Sequence, residues 1–218
     1  MKVGIIGTGN VGTALATAFV EAGHDVALTA RDAEKTGAVA GLVGASTAAT
    51  TQELVRDADI VVLAVPWSSV EGIAREIAPI SSGKIVIDVT NPAKPDWSGP
   101  RFDGTSSGAE ELAGWLPDAH VVKAFNTITS ARMSRPVVDG VVMDAFAAGD
   151  DAAAKGSVGK LASSIGFNPI DAGPAPAARY LEALAWLNIS LNMANGWTWQ
   201  TGWKLLGVPV AVGAAAGR

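Results

Sequence analysis

The chain has 218 residues, 49% of them hydrophobic and 17% charged, with a formal net charge of −5 and no cysteine. That length and apolar fraction support one large domain, or one domain with a small appendage, around a sizeable core. The acidic balance speaks against nucleic acid and anionic membrane surfaces, and the missing cysteines exclude disulfides, thiolate catalysis and cysteine–zinc sites.

Lys2-Val3-Gly4-Ile5-Ile6 is a short apolar strand pattern. Gly7-Thr8-Gly9-Asn10-Val11-Gly12 follows at once, and Thr13 to Ala22 then places Ala14, Leu15, Ala18 and Phe19 at helical spacing. Strand, glycine turn and helix in that order make a dinucleotide-binding fingerprint. Gly7 allows the tight turn, Gly9 a close backbone approach to a pyrophosphate, and Gly12 the packing of helix on strand. The helix start offers unpaired N–H groups to the phosphates.

Asp25 to Thr29 reads as a second strand and Asp32 to Val43 as a helix. A short strand near Ala45 to Thr47 and a short helix at Thr51 to Asp57 follow. Asp59 to Val65 is a nearly continuous apolar run, the pattern of a parallel strand buried on both faces. Ser68 to Ile77 is helical and Pro79 ends it. Lys84 to Val89 is the next strand, residues 91–106 form a loop rich in Pro, Gly, Ser and Asp, Ser107 to Leu116 is helical and His120 to Phe125 is a strand. The alternation predicts an α/β fold with a Rossmann-type doubly wound parallel sheet. Farther on, Val141 to Ala148 is strand-like, Asp150-Asp151 caps a helix running to Ile165, Phe167 to Asp171 is a last strand and Gly173-Pro174 a turn. Helices from Ala177 to about Asn195 and from about Gly196 to Leu206 come next. The small apolar tail Val208 to Arg218 is expected to be disordered.

A site for NAD usually carries an acid at the end of the second strand to hold the ribose 2′-OH. Here the strand ends Leu28-Thr29-Ala30-Arg31-Asp32, with Lys35 one helical turn on. Thr29 or Ala30 stands at the acid position, Arg31 and Lys35 suit a 2′-phosphate, and Asp32 falls one residue late and reads as a helix cap. NADP is therefore expected over NAD.

Ligands of open α/β sheets sit beyond the carboxyl ends of the strands. Three such ends are informative: Val65-Pro66-Trp67-Ser68, Asp88-Val89-Thr90-Asn91-Pro92 and Lys123-Ala124-Phe125-Asn126-Thr127. Asn91, Asn126 and Thr127 would bring amide and hydroxyl groups near a nicotinamide and its ribose. Lys123 is read as structural rather than as a proton donor. His24 and His120 lie far apart, outside any metal-spacing pattern, so no metal is expected. No nucleophile motif is present, and hydride transfer needs none, because the cofactor supplies that chemistry. In the last helices Asn188, Asn192 and Asn195 share one face, beside Trp197, Trp199 and Trp203. That stripe reads equally as an acceptor pocket for a flat polar ring, with Asn188, Asn192 and Trp199 in it, or as a subunit interface in a homodimer.

Taken in order, Gly7-Thr8-Gly9-Asn10, Thr29-Ala30-Arg31-Asp32, Val65-Pro66-Trp67, Asp88 to Pro92, Lys123 to Thr127, Ala148-Gly149-Asp150-Asp151 and Asp171-Ala172-Gly173-Pro174 resemble the F420-dependent NADP oxidoreductase family over essentially the whole chain. Ala178 to Asn188 also looks like that family. Its members move a hydride between NADPH and a deazaflavin. The resemblance implies Thr8, Gly9, Asn10 and Val11 at the pyrophosphate and Thr29, Arg31 and Lys35 at the 2′-phosphate. It implies the Pro66, Asn91 and Asn126 region for the nicotinamide, with Val65, Trp67 and Pro92 as further cofactor-binding candidates. Asn126 departs from the histidine that deazaflavin enzymes often carry there. The chain is also similar to the cytosolic domain of membrane ferric reductases, which pass hydride from NADPH to a flavin, so the acceptor stays open between F420, a flavin and another small molecule.

The division expected is an NADP-binding domain at 1–135 and a small C-terminal region at 136–218 for acceptor binding or dimerisation. A strand starting at residue 2 leaves no room for a signal peptide. The apolar run around Ala183 to Ala194 is broken by Asn188, Ser190 and Asn192, so a cytoplasmic protein without a membrane span is expected. Two alternatives are an NADPH-dependent imine or carbonyl reductase, which would need a larger helical domain than the residues after the last strand allow, and a non-enzymatic NADP sensor.

Overall fold

The computed structural model of the protein describes residues 1–207; the tail at 208–218, expected to be disordered, lies outside the described residues. Six strands, β1 (Lys2–Ile6), β2 (Asp25–Thr29), β3 (Ser46–Thr47), β4 (Ile60–Leu63), β5 (Ile85–Asp88) and β6 (His120–Ala124), pair in parallel in the order 3-2-1-4-5-6. They are joined by α1 (Asn10–Glu21), α2 (Ala33–Val43), α3 (Thr51–Asp57), α4 (Trp67–Ile77) and α5 (Gly108–Trp115). All four residues of β4 are buried, as its unbroken apolar run requires. One face of the sheet packs Leu15, Phe19 and Leu161 against Ile5, Leu28 and Val122. The other packs Leu54, Val70, Ile77 and Leu112 against Ile6, Val61 and Val86. Each such large side chain contributes about 1.5–3 kcal/mol by leaving water.

Beyond β6 the chain makes a small hairpin, β7 (Val137–Val138) with β8 (Val141–Val142), and then β9 (Asp144–Ala148), α6 (Ala152–Ser164), β10 (Asn168–Gly173) and α7 (Ala178–Asn195). Segment 136–218 thus adds β9 and β10 to the same eight-stranded sheet. The parallel sheet expected from sequence has one exception, since β9 runs antiparallel to β6.

Three sequence expectations are corrected. The first helix starts at Asn10 rather than Thr13, because Gly9 is already its N-cap. The strand expected over Val141–Ala148 is two strands, broken at Met143. The helix expected over Gly196–Leu206 does not form. Gly196 closes α7 in the left-handed conformation, Trp199 is left-handed as well, and the Trp199 N–H donates to Asn192 Oδ1 at 3.1 Å. Helical backbone cannot pass through such residues.

Candidate active site

The strand order reverses between β1 and β4, the switch point at which open α/β sheets bind ligands. A cleft of about 680 Å³ opens there. Gly7, Thr8 and Gly9 form its floor, Thr29 to Asp32 and Lys35 one wall, and Val65, Pro66, Ser69 and Ile73 of the β4–α4 junction the other. Thr50, Thr51 and Gln52 at the start of α3 also line it; the sequence reading missed them, since nothing local marks that helix start as facing a ligand.

The glycines divide the work. A side chain at Gly7, whose φ is +114°, would overlap the Ala64 carbonyl, and one at Gly12 would overlap the Gly7 carbonyl. Both are needed for backbone to meet backbone. A Cβ at Gly9 would meet nothing within 4 Å, so its side faces open space. Gly9 has no side chain with which to cap α1, and the first N–H groups of that helix stay available to an anion. Asn10 is exposed at the same helix start and Val11 is half-buried.

On the opposite wall Thr29 is buried, while Arg31 and Lys35 are exposed, and neither cationic head enters an ion pair among the described residues. Asp32 is occupied. Its Oδ1 accepts the Lys35 N–H at 2.9 Å and caps α2. One oxygen of the acid is thereby committed to the helix, although Asp32 still lines the cleft beside the basic pair.

At the ends of β5 and β6, Asn91 and Asn126 hold each other. Asn91 Nδ2 donates to the Asn126 carbonyl at 2.8 Å, and Asn126 Nδ2 donates to Asn91 Oδ1 at 2.9 Å and to the Leu181 carbonyl at 3.1 Å. Asn126 Oδ1, Thr127 Oγ1 and Thr90 Oγ1 are buried and lack a partner. Pro92 is buried in the same corner, its carbonyl accepting from Trp186 Nε1 at 3.3 Å. Below the amides lies a charged cluster. Lys123, fully buried, contacts Asp88 at 2.8 Å and Glu182 at 2.7 Å. Burial works against its charge, yet the two carboxylates outweigh it and hold the ammonium above the usual lysine range. Burial, with Asp88 adding to it, pushes Glu182 up against the pull of Lys123. The sequence reading took Lys123 as structural and missed Asp88 and Glu182.

Asn91, Pro92 and Asn126 are not among the cleft-lining residues, and four further expected site residues are placed otherwise. Trp67 stacks on Trp115 at 5.7 Å and meets Phe102 edge-on, so its ring lies in the packing under α4 rather than among the cleft-lining residues. Asn188 and Asn192 are buried and their amides are taken up locally. Asn192 Nδ2 donates to Asn188 Oδ1 at 2.6 Å and to Thr201 Oγ1 at 2.7 Å, and Thr201 Oγ1 donates to Asn188 Oδ1 at 2.6 Å. These asparagines clamp the segment after α7 instead of walling a pocket. Trp199 belongs to that segment and is held through its carbonyl by Thr129 Oγ1 at 2.7 Å. His24 pairs with Ser164 at 2.8 Å and His120 lies 3.6 Å from Asp151, both away from the cleft. No helix among the described residues is long and apolar enough to cross a membrane.

A sequence profile described as "NADP oxidoreductase coenzyme F420-dependent" matches residues 2–92. The F420-dependent NADP reductase of Methanothermobacter thermautotrophicus is 32% identical over 213 residues, which cover 89% of this chain and 90% of that one. The chain belongs to the F420-dependent NADP oxidoreductase family. A solved structure from this family's neighbourhood, a candidate F420-dependent NADP-reductase of Arthrobacter sp. FB24, superposes with a TM-score of 0.81 at 30% identity, covering 90% of this chain and 96% of that one. The rat metalloreductase STEAP3 is 35% identical over 187 residues, and the chain spans 36% of its length. Membership in this oxidoreductase family agrees with the glycine turn, the switch-point cleft and the basic wall described above.

Proposed function

We propose that the protein transfers a hydride between NADP(H) and a deazaflavin or flavin acceptor. The observation that carries this reading is the wall of Thr29, Arg31 and Lys35, with Asp32 engaged as a helix cap, facing an open glycine cradle across the switch-point cleft. The cradle at Gly7 to Gly12 would hold the pyrophosphate, Arg31 and Lys35 the 2′-phosphate, and Val65, Pro66, Asn91 and Asn126 the nicotinamide end. The unpartnered Asn126 Oδ1 fits an N–H donor such as the ring's carboxamide.

NADPH supplies the hydride when bound. The chain's own part is to bind, orient and exclude water, as its residue set supports: the polar groups at the ends of β5 and β6 are the amides of Asn91 and Asn126 and the hydroxyls of Thr90 and Thr127. The F420-dependent NADP reductases among its relatives support a deazaflavin acceptor, and the metalloreductase supports the search for a flavin. Segment 136–218 would supply the acceptor side through α7. Exposed Tyr180, Leu187 and Leu191 on that helix support a homodimer.

Calorimetry with NADPH and NADH tests the cofactor half. Arg31→Ala is expected to weaken NADPH about ten- to a hundredfold, the worth of a charge-assisted phosphate contact, and to leave NADH nearly unchanged. Equal affinities for the two cofactors in the unmutated protein would overturn the assignment. Stopped-flow oxidation of bound NADPH, with coenzyme F420 in one arm and FMN in the other, identifies the acceptor.

A further inference from the structure

One ammonium ties together every segment that makes the amide pair. Lys123 Nζ donates to Asp88 Oδ2 at 2.8 Å and to the Thr90 carbonyl at 2.6 Å, and it contacts Glu182 Oε1 at 2.7 Å. Its three N–H groups are thereby used. Thr90 immediately precedes Asn91. Glu182 immediately follows Leu181, whose carbonyl receives the Asn126 amide. Lys123 itself lies two residues before Phe125, a fully buried aromatic with φ of +61°. A bulky residue in the left-handed region is strained and persists only where its surroundings hold it. Glu182 Oε1 also accepts the Gly108 N–H at 2.9 Å, which fastens the start of α5 to the same point. Exchanging such a buried ionic cluster for apolar residues is often neutral or stabilising, so what it adds is a fixed arrangement of the segments around it.

We infer that Glu182 is a positioning residue for the nicotinamide end of NADP(H): through Lys123 it holds Thr90–Asn91 and Phe125–Asn126 in register, leaving Asn126 Oδ1 to accept from the ring. The inference rests on the NADP(H) reading above. It adds a role for α7, whose Glu182 acts through the buried ammonium beside the direct bond from Asn126 to the Leu181 carbonyl.

The test is a binding ratio. Full-length protein is titrated calorimetrically with NADP⁺ and with 2′-phospho-ADP-ribose, which carries the same phosphates without the nicotinamide. The unmutated protein is expected to bind NADP⁺ about five- to tenfold more tightly, the worth of one satisfied buried hydrogen bond. Glu182→Leu should keep its affinity for the fragment and bring the ratio near one. Glu182→Gln, which can still accept from Lys123 and Gly108, should restore it. If Glu182→Leu fails to bind the fragment because it does not fold, Glu182→Asp replaces it. That variant keeps the charge but withdraws it by one methylene, and the ratio should drop at least about threefold. An unchanged ratio in the leucine or aspartate variant overturns the inference. Fragment binding by the unmutated protein with a ratio of one also overturns it while sparing the cofactor reading, whereas no binding of either ligand sinks both.

Discussion

A methyl group added at Gly9 and one added at Gly7 should have opposite consequences. Gly9 has room, so Gly9→Ala should melt within about 1 °C of the unmutated protein, yet its methyl would stand in the phosphate cradle and weaken NADPH by about tenfold or more. Gly7→Ala meets the Ala64 carbonyl at a positive φ and should lose about 2 kcal/mol or more of stability as well as binding. Thermal melts beside calorimetry separate the two; equal loss of stability would contradict the division of labour. These glycines and Arg31 were legible in the sequence because their roles follow from position relative to one strand and one helix. Asp88 and Glu182 were not. Glu182 lies inside a helical pattern and looks like a solvated residue, and only tertiary packing brings α7 and the end of β5 onto Lys123 of β6.

The segment after α7 makes the same point for elements. Its tryptophans and leucines suggested a helix, but tertiary contacts override that pattern. Thr129 and Arg132 bind the carbonyls of Trp199 and Gln200, Asn192 and Thr201 fix the turn, and a side chain at Gly202 would overlap Met143. The far end is anchored at Asp144, buried in β9, which accepts from Lys204 at 2.7 Å, Leu205 N–H at 2.6 Å and Asn168 at 2.6 Å. Burial opposes ionisation of Asp144, but these donors outweigh it and hold its pKa below the usual aspartate range. A carboxylate with a depressed folded pKa stabilises the fold above its unfolded value and ceases to do so as pH falls through the folded value. Asp144→Ala should therefore cost about 3 kcal/mol at neutral pH in urea unfolding, from the donors it leaves unpaired. The gap to the unmutated protein should narrow once the pH drops below about 3.9. A gap that stays constant with pH would show that Asp144 does not anchor the segment by its charge.

Across the whole molecule, the strand and helix alternation up to β6 was readable because β4 is apolar and buried along its whole length and β1 and β5 are nearly so. The direction of β9 was not, since a five-residue strand shows the same alternation whichever way it runs. Continuity of the sheet through β6 and β9 predicts that residues 1–135 and 136–207 unfold together. Scanning calorimetry should show one transition with equal calorimetric and van't Hoff enthalpies; two resolved transitions would mean that the regions are independently stable. The reversal of β9 has a practical side. Its exit at Gly149 lies against the Val121 carbonyl, and Asp151 sits near His120, so that turn emerges where the parallel strands begin, opposite the nucleotide turn. The glycine turn and the exit of β9 thus lie at opposite ends of the sheet. On the NADP(H) reading proposed above, a dye, an electrode linker or a fused protein attached near Asp150 would leave the glycine turn unobstructed.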